Sequence, residues 1–291
     1  MNTFYKKVKR KISIDRLLVY VILILFVIIL VGPFIWLVSS SFKENADIFS
    51  SQFSLIPRDQ DGNIKFNFSN YALAMDYLNI GTLFFNTLIV ALVNTALNLF
   101  FNSLAGYAFA RLNFKGRDLI FKIALLSMMV PGTVMLVPNM IIVNKLGLFD
   151  SLGALILPVM MSVYNIFLMR QTFLGFPKEL EEAGVIDGAS RFRIFWSIAL
   201  PLARPMLVVL GITTFMYNYN NFLWPLVVIT SPEKQTLSLG LGALISASAT
   251  NPELYPAMLS AAVLVSIPLI LIFLFFQKYI VKGIGAGGVK G

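Results

Sequence analysis

The sequence predicts an all-α integral membrane protein with six transmembrane helices, both termini on the cytoplasmic side, and a cytoplasmic helix between the fourth and fifth crossings. Three observations predict it. Hydrophobic residues fill 58% of the 291 positions and charged residues 13%, with a mean hydropathy of +0.81, whereas soluble domains hold roughly 45–50% apolar residues. Apolar runs long enough to cross a bilayer recur six times along the chain. Lys and Arg then fall mostly on one side of the topology those runs define.

The first run, Leu17–Val38, follows a basic tail, Met1–Arg16, that carries six Lys and Arg against Asp15. Its length suits a hydrocarbon core of ~30 Å, while the apolar part of a secretory signal has about 7–15 residues. It therefore reads as an uncleaved first span, and residues 17–82 form a unit of span plus external loop. Ser39–Thr82 is the longest external connection, with a capped interfacial helix near Asn70–Leu78. Five further spans follow at Leu83–Ala110, Leu119–Val143, Leu152–Met169, Leu202–Ile229 and Pro256–Gln277, a core that extends over 83–280. The second and fifth are longer than a bilayer requires and imply tilt or kinks. Pro131 and Pro138 in the third, Pro158 in the fourth and Pro268 in the sixth interrupt backbone hydrogen bonding. Thr230–Tyr255, rich in Ser, Gly and Pro, reads as an external loop, and 281–291 as a Gly-rich cytoplasmic tail.

With the N-terminus inside, 18 of the 23 Lys and Arg are cytoplasmic; Lys43, Arg58, Lys65, Lys145 and Lys234 are outside. That asymmetry is the positive-inside pattern, and it accounts for the net charge of +9 without nucleic acid. Cysteine and histidine are absent. Disulfides, thiolate or imidazole metal sites and histidine-based triads are thereby excluded.

The one long charged segment between two spans is Pro177–Pro201. Apolar residues recur in it at helical spacing on both sides of Gly188, so it reads as two short amphipathic helices, the second stopped by Pro201. Pro177 suits a first helical position, and Glu179, Glu181 and Glu182 lie where the helix dipole favours acids. Within it, Glu182-Ala183-Gly184, three residues, Gly188, nine residues and Ile198-Ala199-Leu200-Pro201 resemble the EAA loop of permease subunits in bacterial ATP-binding-cassette importers. Gly184 departs from the pattern's second alanine, a change worth about 1 kcal/mol of helix propensity. The segments Ala105–Arg117, Pro131–Pro158, Phe167–Pro177 and Gly287–Gly291 resemble the sugar-importer branch of maltose-permease type.

The resemblance implies a coupling helix that seats in an ATPase subunit through Glu182, Ala183, Gly184 and Asp187. Gly188 then supplies the turn, and Ile198, Leu200 and Pro201 tie the loop to the fifth span. It also implies a second, related permease subunit, two ATPase subunits that bind the ATP and Mg²⁺, an extracytoplasmic binding protein, and a place in the bacterial inner membrane among its lipids. No cofactor, metal or catalytic residue is expected in this chain. No G-x-x-x-x-G-K-[ST] occurs, and Gly283–Gly288 matches a dinucleotide fingerprint by letter alone, with no strand before it.

For the solute path, Tyr217, Asn218, Tyr219, Asn220, Asn221 and Trp224 form a dense uncharged set of amides and aromatic rings in the fifth span. Such groups suit a neutral hydroxyl-rich solute, an oligosaccharide foremost. Sugar permeases of the resembled branch carry an acidic residue where Asn221 stands. An aromatic belt around Trp224 is the alternative. Asn94, Asn98 and Asn102 make one polar stripe on the second span, either packing helices or lining a pore, the former being the commoner use of buried amides. An ion-coupled carrier for a neutral solute is the alternative function, disfavoured because the spans hold almost no ionisable groups.

Overall fold

The computed structural model describes residues 14–50, 54–59 and 62–288. The charges of the basic tail before Ile14 lie outside the described residues. All regular structure among the described residues is helical, apart from an isolated antiparallel bridge between Arg58 and Ile64.

Helix α1 (Ile14–Ser40) is strongly apolar from Leu17 to Val38, and its stretch from Leu18 to Val31 touches nothing else in the chain closely enough to be buried. Its far end is fastened instead. The Asn70 amide donates to the carbonyls of Ser41 and Lys43 at 2.9 Å each, and the Ser260 hydroxyl donates to that of Ser41 at 3.0 Å. A short α2 (Asn45–Ile48) follows, then α3 (Ser69–Leu78), whose start is marked by the Asn67 side chain accepting from the Ser69 amide. Helix α4 (Ile80–Arg111) has 32 residues, about 48 Å at 1.5 Å per residue, more than a hydrocarbon core needs. It runs through the middle of the bundle and buries a polar face of Thr87, Asn94, Asn98, Asn102 and Ser103.

The expected third span is not one helix. Its residues form α5 (Arg117–Ser127) and α6 (Leu136–Lys145), with turns between them around Pro131. Proline lacks an amide hydrogen and disfavours helix at the residue before it, so the break falls where the sequence places Pro131. Pro138 lies in the first turn of α6, where a proline costs no internal bond. The fourth span is also bent. Helix α7 (Leu152–Ile156) and a 3-10 turn containing Pro158 meet α8 (Val163–Leu174) at 44°.

Helices α9 (Glu179–Ile186) and α10 (Arg191–Ile194) lead through a π turn at Phe195–Ala199 into α11 (Leu200–Leu202), and the chain then bends by 79° into α12 (Arg204–Tyr219). Pro201 therefore does not stop the second helix of the charged segment. It sits in the first turn of α11, and the bend falls at Ala203. Helix α13 (Leu223–Val228) follows, then α14 (Leu237–Thr250) and α15 (Tyr255–Gly288). The expected Thr230–Tyr255 loop thus contains a 14-residue helix packed on α3, α4 and α15, with Gly240 so close to Leu83 that a methyl there would meet its side chain. The expected tail from 281 continues α15 as far as Gly288. Among the described residues, three helices are long and apolar enough to cross a membrane, or up to five if each bent pair counts as one span.

At the end of the bundle where α4 begins, Asp150 joins two connections. It adopts a left-handed backbone, φ 55°, which aspartate tolerates better than most residues. Its carboxylate accepts from the hydroxyl and amide of Ser231, the amide of Thr230 and the Lys234 ammonium. These donors, the Ser231 hydroxyl foremost, hold the acid well below the ordinary carboxylate range. A depressed acid contributes its full stabilisation above the unfolded value of about 4 and loses it as pH falls towards the folded value. The thermal midpoint of Asp150→Asn in detergent should therefore lie below wild type by a constant margin from about pH 8 to 5, and the two should converge below about pH 4. A margin that persists unchanged into stronger acid would rule this out.

Candidate functional site: a polar cavity and the loop around Glu182

Helices α4, α8 and α12 border an open cavity of about 380 Å³. Asn94 and Asn98 reach it from α4, Ser162, Tyr164 and Asn165 from the start of α8, and Thr213, Thr214, Tyr217 and Asn218 from α12. None of its lining residues is charged. The amides also bind the helices to one another. Asn218 donates to the Asn94 side chain at 2.9 Å, Asn94 to the Ile156 carbonyl at 2.9 Å, and Asn165 to the Asn98 side chain at 2.7 Å and the Thr214 hydroxyl at 3.2 Å. Asn102, one turn further along, accepts from the Ser162 amide at 3.0 Å. The asparagine stripe thus packs helices along its whole length, and at Asn94 and Asn98 it also borders open space.

The six residues read together in the fifth span are not brought together. Tyr217 and Asn218 face the cavity. Tyr219 points the other way, fully buried, stacked on Phe215 and donating to the Val265 carbonyl at 3.1 Å. Asn220 is exposed beyond the helix end and donates to the Met216 carbonyl. Asn221 accepts from the Trp224 amide, and Trp224 is buried, its indole donating to the Ala154 carbonyl at 2.9 Å. A buried indole paired to a carbonyl does not form an interfacial aromatic belt. Ser162, Tyr164, Asn165, Thr213 and Thr214, which sequence reasoning missed, also line it; Asn165, three residues after the helix-capping Ser162, was a polar signal in that stretch.

At the opposite end of the bundle the charged segment forms a compact hairpin. Helix α9 closes with two bonds, from the Gly188 amide to the Val185 carbonyl at 3.0 Å and from the Ala189 amide to that of Gly184 at 2.9 Å. This closure requires a left-handed residue after the cap, and Gly188 has φ +75°. The Ser190 hydroxyl then caps α10 by accepting from the Arg193 amide. Gly184 is buried, and a methyl on it would lie 3.1 Å from Ile198 and 3.2 Å from Ile194. The departure from the alanine pattern thus faces inward, on the joint between α9 and the π turn. Glu182, Ala183 and Asp187 are exposed, and so is Ile186, at 85%. Leu200 and Pro201 are half-buried along α11.

The neighbouring acid behaves differently. Glu181 is paired with Arg111 at the end of α4, Nε to Oε1 2.9 Å. A cavity of about 750 Å³ beside α9 is bordered by Arg111, Arg117, Lys178, Glu181, Glu182 and Arg191.

Residues 102–286 match the family model described as binding-protein-dependent transport system inner membrane component. The chain belongs to this family. It is similar to the arabinooligosaccharides transport system permease protein AraQ of Bacillus subtilis strain 168, 36% identical over 283 residues that cover 96% of this chain and 97% of that one. It is also 32% identical over 274 residues, 93% of this chain and 95% of the other, to the lactose transport system permease protein LacG of Rhizobium radiobacter. Its fold matches the crystal structure of a bacterial ABC transporter involved in the import of the acidic polysaccharide alginate, with a TM-score of 0.80, 24% identity, and coverage of 96% of this chain and 99% of that one. The permease is accordingly a non-catalytic, multi-pass component of the bacterial inner membrane that works in a binding-protein-dependent ABC importer. Membership sets aside the ion-coupled carrier reading.

Proposed function

We propose that this permease is one of two related membrane subunits of an ATP-driven importer for a neutral carbohydrate, an oligosaccharide foremost. The observation that carries the reading is the cavity between α4, α8 and α12, bordered by amides, hydroxyls and two tyrosines and by no charge. Aromatic faces and amide donors match a solute of many hydroxyls and no ionised group. The similarity to permeases named for arabinooligosaccharides and lactose supports the same class. In this reading the chain crosses six times with both ends inside, the third crossing being the interrupted pair α5 and α6. The positive-inside charge balance favours that orientation. The exposed face of α9, with Glu182, Ala183 and Asp187, docks one of two ATPase subunits that hold ATP and Mg²⁺. ATP-driven closure of those subunits shifts the permease between inward-open and outward-open states. A binding protein delivers the solute to the other face.

The test uses the importer purified with its partners and reconstituted in proteoliposomes. Uptake of radiolabelled arabinotriose is expected with enclosed ATP and absent without it. Tyr217→Ala should lower that uptake by about tenfold, the loss of one stacking contact. Uptake that follows an ion gradient and ignores ATP would defeat the proposal.

A further inference from the structure

The two sides of the polar cavity are attached to α9 in different ways. The α12 side is continuous with it through α10, the π turn and α11, and Ile194 and Ile198 close that route by packing on Gly184. The other side is α4 together with α8, and α8 leads to α9 through the four non-helical residues Gly175–Lys178. Gly106 brings these two so near that a methyl on it would lie 2.6 Å from the Met169 Cβ and 3.0 Å from the Arg170 amide nitrogen. They form one stiff wall. Arg111 ends α4 and stands far from α9 in sequence, yet its guanidinium reaches three places. Nη2 donates to the carbonyls of Phe173 at 2.7 Å and Phe176 at 2.6 Å, at the end of α8, while Nε pairs with Glu181 on α9. The two side chains are only 6% and 12% exposed. The second carboxylate oxygen of Glu181 accepts from the Tyr107 hydroxyl of α4 at 3.2 Å. Both oxygens of this acid are therefore committed to α4, in contrast to the exposed Glu182 beside it.

The geometry points to Arg111 and Glu181 as positioning residues that latch the α9 helix to the α4–α8 wall, a side-chain route, besides the chain itself, by which movement of α9 reaches the cavity. A planar guanidinium can donate to two carbonyls from one nitrogen while its charge lies against a carboxylate at another, which a lysine ammonium on its flexible stem does less rigidly. The route matters because α9 would otherwise reach the α4–α8 wall only through the short non-helical segment Gly175–Lys178. A displacement of α9 delivered to both sides changes the space between them as a unit. This inference rests on the reading of α9 as the element an ATPase moves.

The chain contains no cysteine, so single thiols report each side separately. Met161→Cys, just before α8, reports the α4–α8 wall, and Thr213→Cys reports α12. The whole importer, purified with its ATPase subunits, is labelled with a maleimide with and without ATP plus orthovanadate, and the reaction on this chain is quantified. With the latch intact, nucleotide should change both rates. In Glu181→Gln, close in size and still able to accept from Tyr107, the response at Met161→Cys should fall by about fivefold or more while that at Thr213→Cys persists. Arg111→Lys, which keeps the charge and loses the fork, should give an intermediate loss. An unchanged Met161→Cys response in Glu181→Gln, or equal loss at both thiols, would overturn the latch, as would absence of any nucleotide response in the wild type. Loss of the ATPase subunits from Glu181→Gln would also overturn it, by making Glu181 a docking residue. Glu182→Lys tests the docking reading separately: ATPase subunits retained in that variant would defeat that reading, whatever the labelling shows.

Discussion

Gly106→Leu is expected to abolish assembly of the helical bundle, and Gly106→Ala to weaken it measurably. The three atoms nearest to a methyl at Gly106 are the Met169 Cβ at 2.6 Å, the Arg170 amide nitrogen at 3.0 Å and the Ile166 carbonyl oxygen at 3.1 Å. Two of these are backbone and the third is fixed to it, so no rotation of a side chain relieves the clash. The helices must separate. Overpacking by one methyl costs about 1–3 kcal/mol in a well-packed core. Here the separation would also stretch the bond between Asn98 and Asn165 and those from Arg111 to the carbonyls of Phe173 and Phe176. A leucine exceeds what such a seam absorbs. The check is the thermal midpoint and size-exclusion profile of each variant in detergent. Wild-type behaviour of Gly106→Leu would mean that the close approach of α4 and α8 is not what holds the bundle.

Gly188→Pro, alone or with Glu182→Lys, is expected to strip the ATPase subunits from the purified importer while leaving the permease in the membrane. Proline fixes φ near −65°, and Gly188 stands at +75° with its amide donating to Val185. The substitution therefore removes the closure of α9 and turns α10 in another direction, at a local cost of about 3 kcal/mol or more. The joint of Gly184 with Ile194 and Ile198 then opens. Gly188→Ala fills empty space and meets only the left-handed penalty, about 1–2 kcal/mol, so it should retain part of the complex. Glu182→Lys reverses the charge of an exposed side chain and breaks no side-chain hydrogen bond or ion pair among the described residues, which makes it the cleaner probe of docking. Co-purified ATPase is measured by quantitative blot against equal amounts of permease. Equal ATPase in wild type and both variants would place docking elsewhere.

Much of this was legible in the sequence because hydropathy and turn chemistry act locally. The apolar runs locate α1, α4 and α15, Gly188 marks the break after α9, and the asparagine spacing marks the buried face of α4. What escaped depends on angle and on partners distant in sequence. Residues 217 to 221 are neighbours in the chain, yet successive residues on a helix diverge by about 100°, so Tyr217 and Tyr219 cannot share a wall. The helix α14 was hidden by its own composition. Its glycines and serines weaken a helix in water but permit close packing in a membrane, and its burial against α4 and α15 decides the outcome. The division of labour between Glu181 and Glu182 had no local signal at all, since the residues that distinguish them, Arg111 and Tyr107, lie on α4.

One helix differs from the rest in what it asks of its residues. From Leu18 to Val31 every side chain of α1 is exposed, and the helix is held to the other helices near its far end, around Ser41 and Asn70. Within this chain, those positions answer to an average oil–water preference and not to shape. For the packing of this chain alone, leucine, isoleucine, valine and phenylalanine are interchangeable there, whereas a single methyl at Gly106 is not tolerated. The tolerance of this chain's own fold to mutation is therefore distributed by whether a helix borders another helix of the chain or its outside, more than by distance from the cavity.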